Sequence, residues 1–407
     1  MTVIEFFDKT PIENVISGFT VCPEKIVFLG DVSAIDRRLP KYERFFSGRG
    51  LSIEMVARTI NKSSIEKCVE TLAAIVEEEE NCVFDLTGGE DIVLVAMGVV
   101  FERYRNVKNI QMHRFNIGSG KIIDCDSDGT VVQYEEPKIS VCEQVLLHGG
   151  AVSSVTMDRE ELARCPAETL DAAWRLCKKD PSDWNTDIRR LKEILSYNVN
   201  DEDSLDVCID LAVVAKEVGS YEGKIREAFS FLRRVQTAGL IRDLAKSETA
   251  LIFACANRYA RQLISNEGDV LETLTLQAVS GMKSKRALLI DDAARGVNID
   301  WDGVLHDSPE SDVDTVNEID VMLMKGLTPV FISCKNGTFD NEELYKLNTV
   351  ASRFGGSMAK KILVCTEFSF SEYLRQRAED MNIHIIDRVH EDDFDVFCSK
   401  LKQAICQ

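Results

Sequence analysis

Short β-rich runs alternate with helical stretches over the first 150 residues of the chain. The runs span 3–7, 25–29, 82–86 and 109–115, and the helical stretches lie near 10–20, 48–80 and 90–104. Strands that alternate with helices in this way form a parallel sheet with helices on both faces. In such a doubly wound α/β domain, ligands bind at the carboxyl ends of the strands. The N-terminal part of the chain is therefore predicted to be a ligand-binding α/β domain.

The turns after three of these strands are rich in polar residues and glycine. They contribute Phe7, Asp8 and Thr10 after the first strand, Gly30 and Asp31 after the second, and Thr87, Gly88, Gly89 and Glu90 after the third. Glycine allows close backbone approach, and the N-terminus of the following helix offers free N–H groups to an anion. We therefore predict that these residues bind a nucleotide. An ordinary glycine-rich turn is the alternative interpretation.

The middle of the chain is predicted to be mainly helical and to end in a winged-helix-like module. A basic amphipathic helix, KIREAFSFLRRVQ, is followed by a polar turn, by the β-like run Ala250–Cys255 and by a helix with Arg258 and Arg261. This order of helix, turn and wing is typical of DNA-binding modules. Such modules also serve as structural spacers, so the sequence leaves direct contact with nucleic acid open.

The charge of the chain is unevenly distributed. The whole sequence has 48 Lys and Arg against 68 Asp and Glu, a net charge of −20 that repels phosphate at long range. Residues 222–290, in contrast, contain eleven basic and seven acidic side chains. This segment is a candidate contact surface for nucleic acid, and a set of solvated helix faces is the alternative.

The most specific chemical signal lies in two consecutive predicted strands. NEIDVML places Glu318 and Asp320 on one face, and TPVFISCK delivers Ser333 and Lys335 to one face. This is the D…(E/S)-x-K arrangement of metal-dependent nucleases. The Asp320 carboxylate and the main-chain carbonyl of Cys334 are oxygen ligands suited to a hard divalent cation. Lys335 is predicted to orient the attacking water and to offset charge on the reacting phosphate.

Flanking segments add to this signal. Upstream, the helix that begins at GDVLE is predicted to bring Glu272 to the same metal, which makes Glu272, Asp320, Ser333 and Lys335 the candidate catalytic residues. Downstream, the helix 341–354 supplies Tyr345 and Lys346. The predicted order of elements is that of the α-β-β-β-α-β core of PD-(D/E)xK enzymes.

Two stretches resemble a known family. VFDLTGGEDIVLVAMG resembles the D-L-T-G-G-T segment of CARF domains, the CRISPR-associated Rossmann folds that bind cyclic oligoadenylates. GDVLE, NEIDVMLMKGLTPVFISCKNG and ELYKLNTVASRFGG resemble the nuclease domain of CARF-linked CRISPR ancillary nucleases. The chain departs from these patterns at Glu90, where a small hydroxyl or basic residue suits a phosphate better, and at Ser333, where many PD-(D/E)xK enzymes have an acid.

The resemblance implies a domain layout and an activity. It implies a CARF-like sensor over residues 1–150, a helical and winged-helix-like segment over 151–262, and a PD-(D/E)xK nuclease domain over 263–407. The expected activity is cleavage of DNA, RNA or both in type III CRISPR defence, with Mn²⁺ or Mg²⁺ as cofactor and cyclic tetra-adenylate as activator. A cyclic ligand with an even number of nucleotides also suits a two-fold homodimer.

The same residues allow a second class of function. The alternative function is a ligand-responsive, non-catalytic regulator that binds nucleic acid; the joint presence of Glu272, Asp320 and Lys335 favours the nuclease.

No apolar run approaches the roughly 20 residues that span a bilayer, and the start MTVIEFFDKTPIENV does not resemble a signal peptide. The thirteen cysteines show no C-x-x-C pair, as expected for reduced thiols. A cytoplasmic protein without membrane contact is expected.

Overall fold

A seven-stranded sheet forms the N-terminal part of the computed structural model, which describes residues 1–117, 120–126, 131–132, 137–201, 204–217, 221–284, 287–304, 316–367 and 371–407. Its strands are β1 (Thr2–Phe6), β2 (Lys25–Gly30), β3 (Glu54–Thr59), β4 (Asn81–Asp85), β5 (Asn109–Asn116), β6 (Lys121–Asp124) and β7 (Val131–Val132). The order across the sheet is β3-β2-β1-β4-β5-β6-β7, and β1 to β5 are parallel. The predicted doubly wound sheet is confirmed. The strands β2 and β3 follow on one side of β1, and β4 and β5 follow on its other side. The strand order therefore reverses between β1 and β4, and a crevice opens at such a switch point.

Helices cover both faces of this sheet. They are α1 (Ile16–Val21), α2 (Val32–Asp36), α3 (Leu39–Gly48), α4 (Ile65–Glu78), α5 (Asp91–Tyr104) and α6 (Val141–Leu147). The predicted helix over 48–80 was wrong in its first part, because residues 54–59 form the edge strand β3. None of its residues is buried, and its apolar run is limited to Met55, Val56 and Ala57, which is too short to mark it as a strand. The helix predicted near 10–20 shrinks to α1, preceded by turns.

The turn clusters between apolar runs in residues 116–150 predict a β-hairpin extension after β5, and part of this hairpin is visible. β6 pairs antiparallel with both β5 and β7. The turn residues predicted at 118–119 and 127–130 lie outside the described residues, as do Lys285, Arg286 and the acidic residues between 305 and 315.

The middle of the chain has its own core and its own small sheet. After β8 (Ala151–Asp158), its elements are α7 (Arg159–Arg164), α8 (Ala167–Cys177), α9 (Pro181–Leu195), β9 (Asp206–Asp210), α10 (Leu211–Glu217), α11 (Tyr221–Thr237), β10 (Ile241–Lys246), β11 (Ala250–Cys255) and α12 (Arg258–Leu263). Asp158 caps α7, as its sequence position suggested, by accepting from the N–H of Glu161. The sheet has the order β10-β11-β9. The helix α11 is thus followed by a hairpin, in which β10 occupies the segment predicted as a polar turn.

The C-terminal part is built around a second large sheet. Its elements are α13 (Asp269–Ser280), β12 (Lys283–Ser284), β13 (Ala287–Leu288), β14 (Asp292–Asp300), β15 (Val316–Lys325), β16 (Thr328–Lys335), α14 (Asn341–Gly355), β17 (Lys360–Cys365), α15 (Glu372–Asp380), β18 (Ile383–Ile386) and α16 (Phe394–Cys406), with a 3₁₀ turn at Gly356–Met358. The sheet order is β18-β17-β16-β15-β14-β8. The predicted succession of one helix, three strands, a helix and a strand is therefore present. The strand β8, which lies in the segment predicted as a linker, belongs to this sheet.

One hydrophobic core joins the two large sheets. It includes Phe46 of α3, Val145 of α6, and Phe331 and Phe354 of the C-terminal part. The Gln144 amide of α6 donates to the carbonyl of Phe354 at 2.8 Å, and the Lys41 ammonium of α3 donates to the carbonyl of Gly149 at 2.9 Å. Among the described residues, no helix is long and apolar enough to cross a membrane.

Candidate functional site

The first candidate site is the edge of the N-terminal sheet where β1, β2 and β4 end. A Cβ added to Gly88 would lie 3.1 Å from the Cβ of Asp8, and one added to Gly30 would lie 3.5 Å from the Cβ of Phe7. The predicted residues from three separate turns are therefore neighbours. Gly89 has a φ of 134° and lies against Phe6 and Leu94, a conformation and a space that favour glycine.

Several polar groups at this edge are already used to shape the turns. The Asp8 carboxylate accepts from the N–H of Thr10 at 2.9 Å, and Asp31 caps α2 by accepting from Ser33 and Ala34. The Thr87 hydroxyl donates to Asp85 and accepts from the N–H of Phe115 at 2.8 Å. The hydroxyl predicted to meet a phosphate is thus occupied, and Thr87 acts by fixing the backbone of its turn.

Sequence reasoning missed the buried polar row beneath this edge. Asp85 ends β4 and accepts from Ser17 and Thr87, and His113 lies beside it on β5. Burial raises the pKa of Asp85, but the hydrogen bond and charge of His113 and the two hydroxyls lower it below its usual value overall. On β1, burial and Asp85 raise the pKa of Glu5 well above the usual value, and neither of its carboxyl oxygens has a hydrogen-bond partner among the described residues.

Two carboxylates at this edge carry charge that would repel an anionic ligand. Glu90, the departure from the CARF pattern, forms an ion pair of 2.5 Å with Lys62, so its charge is compensated. Glu13 lies against Gly88, whose added Cβ would be 2.7 Å from Glu13 Oε2. Burial, followed by the charge and hydrogen bond of Asp8, raises the pKa of Glu13 to about 7. The negative charge next to the glycine turn therefore depends on pH near neutrality.

The second candidate site lies where β15 and β16 separate. The two strands are paired from Lys325 and Thr328 up to Val321 and Ile332. Beyond that point the Asp320 carboxylate bridges the gap, because its Oδ2 accepts from the N–H of Cys334 at 2.6 Å and from the Ser333 hydroxyl at 3.1 Å. The backbone split therefore holds Asp320 in a fixed place.

A cavity of about 210 Å³ opens at this split. Asp320, Ser333, Lys335 and Lys346 line it, as predicted, and it also contains Glu318 and Glu343. Tyr345, on the same helix as Lys346, is 46% exposed and does not line the cavity. The Lys335 ammonium lies 2.9 Å from Glu343 Oε2 and 3.9 Å from Asp320 Oδ2.

Glu343 was missed at the sequence level, although a signal for it exists. Glu343, Lys346, Leu347 and Val350 follow each other at helical spacing, and all four line the cavity. Glu343 therefore begins the inward-facing stripe of α14.

Glu272 is near this site but does not line the cavity. Its carboxylate Oε2 accepts from Arg295 Nη1 at 3.0 Å, and the same nitrogen donates to Asp269 at 3.1 Å. Arg295 is only 1% exposed, and its Nε and Nη2 atoms have no hydrogen-bond partner among the described residues. Burial, followed by the charge of Asp320, raises the pKa of Glu272 to about 8 despite Arg295.

The charges of the cavity suit a hard cation. Burial raises the pKa of Asp320, although Lys335, Cys334 and Ser333 oppose this effect. Burial lowers the pKa of Lys335, but Asp320 and Glu343 raise it above the usual value overall, so the ammonium keeps its proton. When burial makes a carboxylate difficult to ionise, a nearby cation stabilises its charged form. Asp320, with Glu272 beside it, would hold one.

The number of protein ligands is small, however. Among the described residues, no three His, Cys, Asp or Glu side chains converge closely enough to hold a metal ion. The Cys334 carbonyl stays a predicted ligand.

Two solved structures share the fold of this chain over nearly their whole length. Protein VC1899 from Vibrio cholerae has a TM-score of 0.70 at 15% sequence identity, covering 99% of this chain and 98% of its own. Can2 from Sulfobacillus thermosulfidooxidans, solved in complex with cyclic tetra-adenylate, has a TM-score of 0.64 at 17% identity, covering 99% and 97%. No family model and no curated protein matches the sequence. The predicted α/β class is confirmed, and the resemblance to CARF-linked CRISPR ancillary nucleases is borne out at the level of the fold.

Proposed function

We propose that the chain is a metal-dependent nuclease activated by cyclic tetra-adenylate and acting in type III CRISPR defence. The observation that carries the proposal is the cavity at the strand split, where Asp320 and Lys335 lie side by side, each fixed by hydrogen bonds or ion pairs. The Sulfobacillus protein with the same fold was solved with cyclic tetra-adenylate, which supports the choice of activator.

Each residue of the cavity has a role in this proposal. Asp320, supported by the N–H of Cys334 and by Ser333, presents a carboxylate oriented by the strand split. A Mn²⁺ or Mg²⁺ ion held there, with Glu272 and the Cys334 carbonyl nearby, supplies Lewis acidity to the scissile phosphate. Lys335 keeps its proton and offsets negative charge on that phosphate, so we assign it electrostatic stabilisation and not the role of a base.

The edge of the N-terminal sheet where β1, β2 and β4 end is proposed to bind the activator, and we call it the sensor edge. We assign phosphate binding to the backbone N–H groups of the Gly88–Gly89 turn before α5, and we assign the surrounding contacts to Phe7, Asp8, Thr10, Gly30, Asp31, Thr87 and Glu90. We further propose a two-fold homodimer, since a cyclic ligand of four equal nucleotides presents equivalent halves to two identical edges. Light scattering combined with titration stoichiometry tests this, and a monomer that binds one activator per chain would contradict it.

A cleavage assay tests the proposed function. Labelled single- and double-stranded DNA and RNA are incubated with the full chain, with Mn²⁺ or Mg²⁺, and with or without cyclic tetra-adenylate. We expect cleavage only when metal and activator are both present. Binding of nucleic acid that responds to the activator, without cleavage of any substrate, would favour the non-catalytic regulator instead.

A further inference from the structure

Lys335 lies between two carboxylates that come from different elements. The shorter ion pair, 2.9 Å, joins it to Glu343 on α14, and the longer one, 3.9 Å, joins it to Asp320 on β15. The residue that holds Lys335 most closely is thus separated from it by a loop and is not part of the strand motif.

Both ends of the Lys335–Glu343 pair are anchored independently. Asp340 caps α14 by accepting from the N–H groups of Glu342 at 2.9 Å and Glu343 at 3.3 Å. Asn336, which follows Lys335, donates to Asn185 at 2.7 Å and accepts from Thr366 at 3.2 Å. The loop between β16 and α14 is therefore fixed, and Glu343 is held at the distance from Lys335 that an ion pair requires.

The neighbouring Glu342 shows that this arrangement is specific to one residue. Its side chain is 70% exposed and pairs with Lys346 at 2.8 Å, whereas Glu343 is 26% exposed, lines the cavity and reaches Lys335. Glu343 also lies 3.8 Å from the Lys346 ammonium, but of the two adjacent glutamates it is Glu343 that contacts Lys335. Glu342 is a matched control for Glu343.

Without Glu343, the nearest carboxylate for the Lys335 ammonium would be Asp320. Asp320 Oδ2 already accepts from Cys334 and Ser333, so an ammonium in direct contact would occupy this oxygen further and would repel a cation bound at Oδ1. Ser333 cannot hold Lys335 by charge, because its hydroxyl is neutral and donates to Asp320. An acidic residue from elsewhere in the fold is needed to keep the lysine in place.

We propose that Glu343 is a positioning residue that holds Lys335 away from Asp320 and so keeps the Asp320 carboxylate available to a divalent cation. This inference rests on the proposed function.

The test uses Mn²⁺ alone as the probe, on the full chain, with free Mn²⁺ measured by electron paramagnetic resonance. We expect Glu343→Gln to weaken Mn²⁺ binding by about 10- to 100-fold, the usual effect of losing a partner that orients a metal ligand. Glu342→Gln should bind Mn²⁺ like the wild type. In the Glu343→Gln background, Lys335→Met should restore Mn²⁺ binding because the competing ammonium is gone, while cleavage stays lost.

The outcomes separate this inference from the proposed function. Equal Mn²⁺ affinity in Glu343→Gln and Glu342→Gln, in a chain that cleaves nucleic acid, overturns only the inference. Failure of Lys335→Met to restore binding also overturns it, provided that thermal melting shows the variants to be folded. A wild-type chain that binds no Mn²⁺ overturns both the inference and the proposed function.

Discussion

The sensor edge and the strand-split cavity use their polar residues in opposite ways. At the sensor edge, Asp8, Asp31 and Thr87 are consumed by hydrogen bonds within their own turns, so these side chains shape the backbone. In the cavity, Asp320 and Lys335 meet across different elements, and burial leaves the pKa of Asp320 raised. The first region is suited to bind a ligand through backbone groups and available space. The strand-split cavity is suited to bind a charged ligand.

This difference predicts which substitutions do most damage in each region. A change of charge should be most damaging in the cavity, and a change of volume should be most damaging at the sensor edge. The following predictions go from the largest expected effect to the smallest.

The largest effect is expected for Asp320→Asn. The substitution keeps the shape of the side chain but removes the negative charge, so cleavage in the activator-dependent assay should fall by more than about 100-fold, beyond the effect of losing an outer-shell partner. The affinity for cyclic tetra-adenylate, measured by isothermal titration, should not change. Unaltered cleavage by this variant would show that Asp320 is not required for catalysis.

Gly88→Val tests whether volume controls the sensor edge. A side chain at Gly88 would meet Glu13 and the Cβ of Asp8, so it would distort the turn that we propose to bind the ligand. We expect affinity for cyclic tetra-adenylate to fall by about 10-fold or more, which corresponds to about 1.4 kcal/mol. Gly98→Val on α5, the helix that follows this turn, is the control, because no atom outside its own stretch of helix lies within 4 Å of an added Cβ there. Equal affinity of the two variants would place the ligand elsewhere.

The pKa of Glu13 predicts how activator binding depends on pH. With a pKa of about 7, raised by burial and Asp8, Glu13 is mostly neutral below that pH and mostly charged above it. The phosphodiesters of the activator stay negative throughout this range, so affinity should fall several-fold as pH rises through 7. Titrations one pH unit below and above 7 measure the effect. In Glu13→Gln the profile should be flat, and an equally steep profile in that variant would assign the effect to another group.

The smallest effect is expected on the helix α11 of the middle module. Lys224, Arg234, Arg242 and Arg258 of the basic segment are paired with nearby acids. Arg226 and Arg233 are exposed and have no ion-pair partner among the described residues. Replacing both with Gln should weaken binding of nucleic acid a few-fold and reduce its salt dependence by roughly one unit of slope per lost phosphate contact. Replacing both Arg103 of α5 and Arg105 directly after it with Gln removes the same charge and is the control, and identical salt slopes in the two double variants would assign α11 a structural role.

The parts of this architecture that the sequence predicted depend on local pattern. The four inner strands of the first sheet and the facing Asp320, Ser333 and Lys335 follow from periodicity and spacing along one or two elements. Glu343 and Arg295 act through contacts between distant elements, which spacing does not encode. The edge strand β3 was missed because, with one neighbour and partly exposed faces, it lacks the apolar run of a central strand.

The central claim is that the sensor edge controls the cavity, and thermodynamic linkage between the two sites tests it most directly. In the Asp320→Asn variant, which should bind nucleic acid without cutting it, the affinity for cyclic tetra-adenylate is measured with and without nucleic acid. The reverse titration measures affinity for nucleic acid with and without the activator. We predict that each ligand tightens the other by the same factor, within the range of about 5- to 150-fold that is typical of allosteric coupling. Two affinities that do not respond to each other would contradict the account.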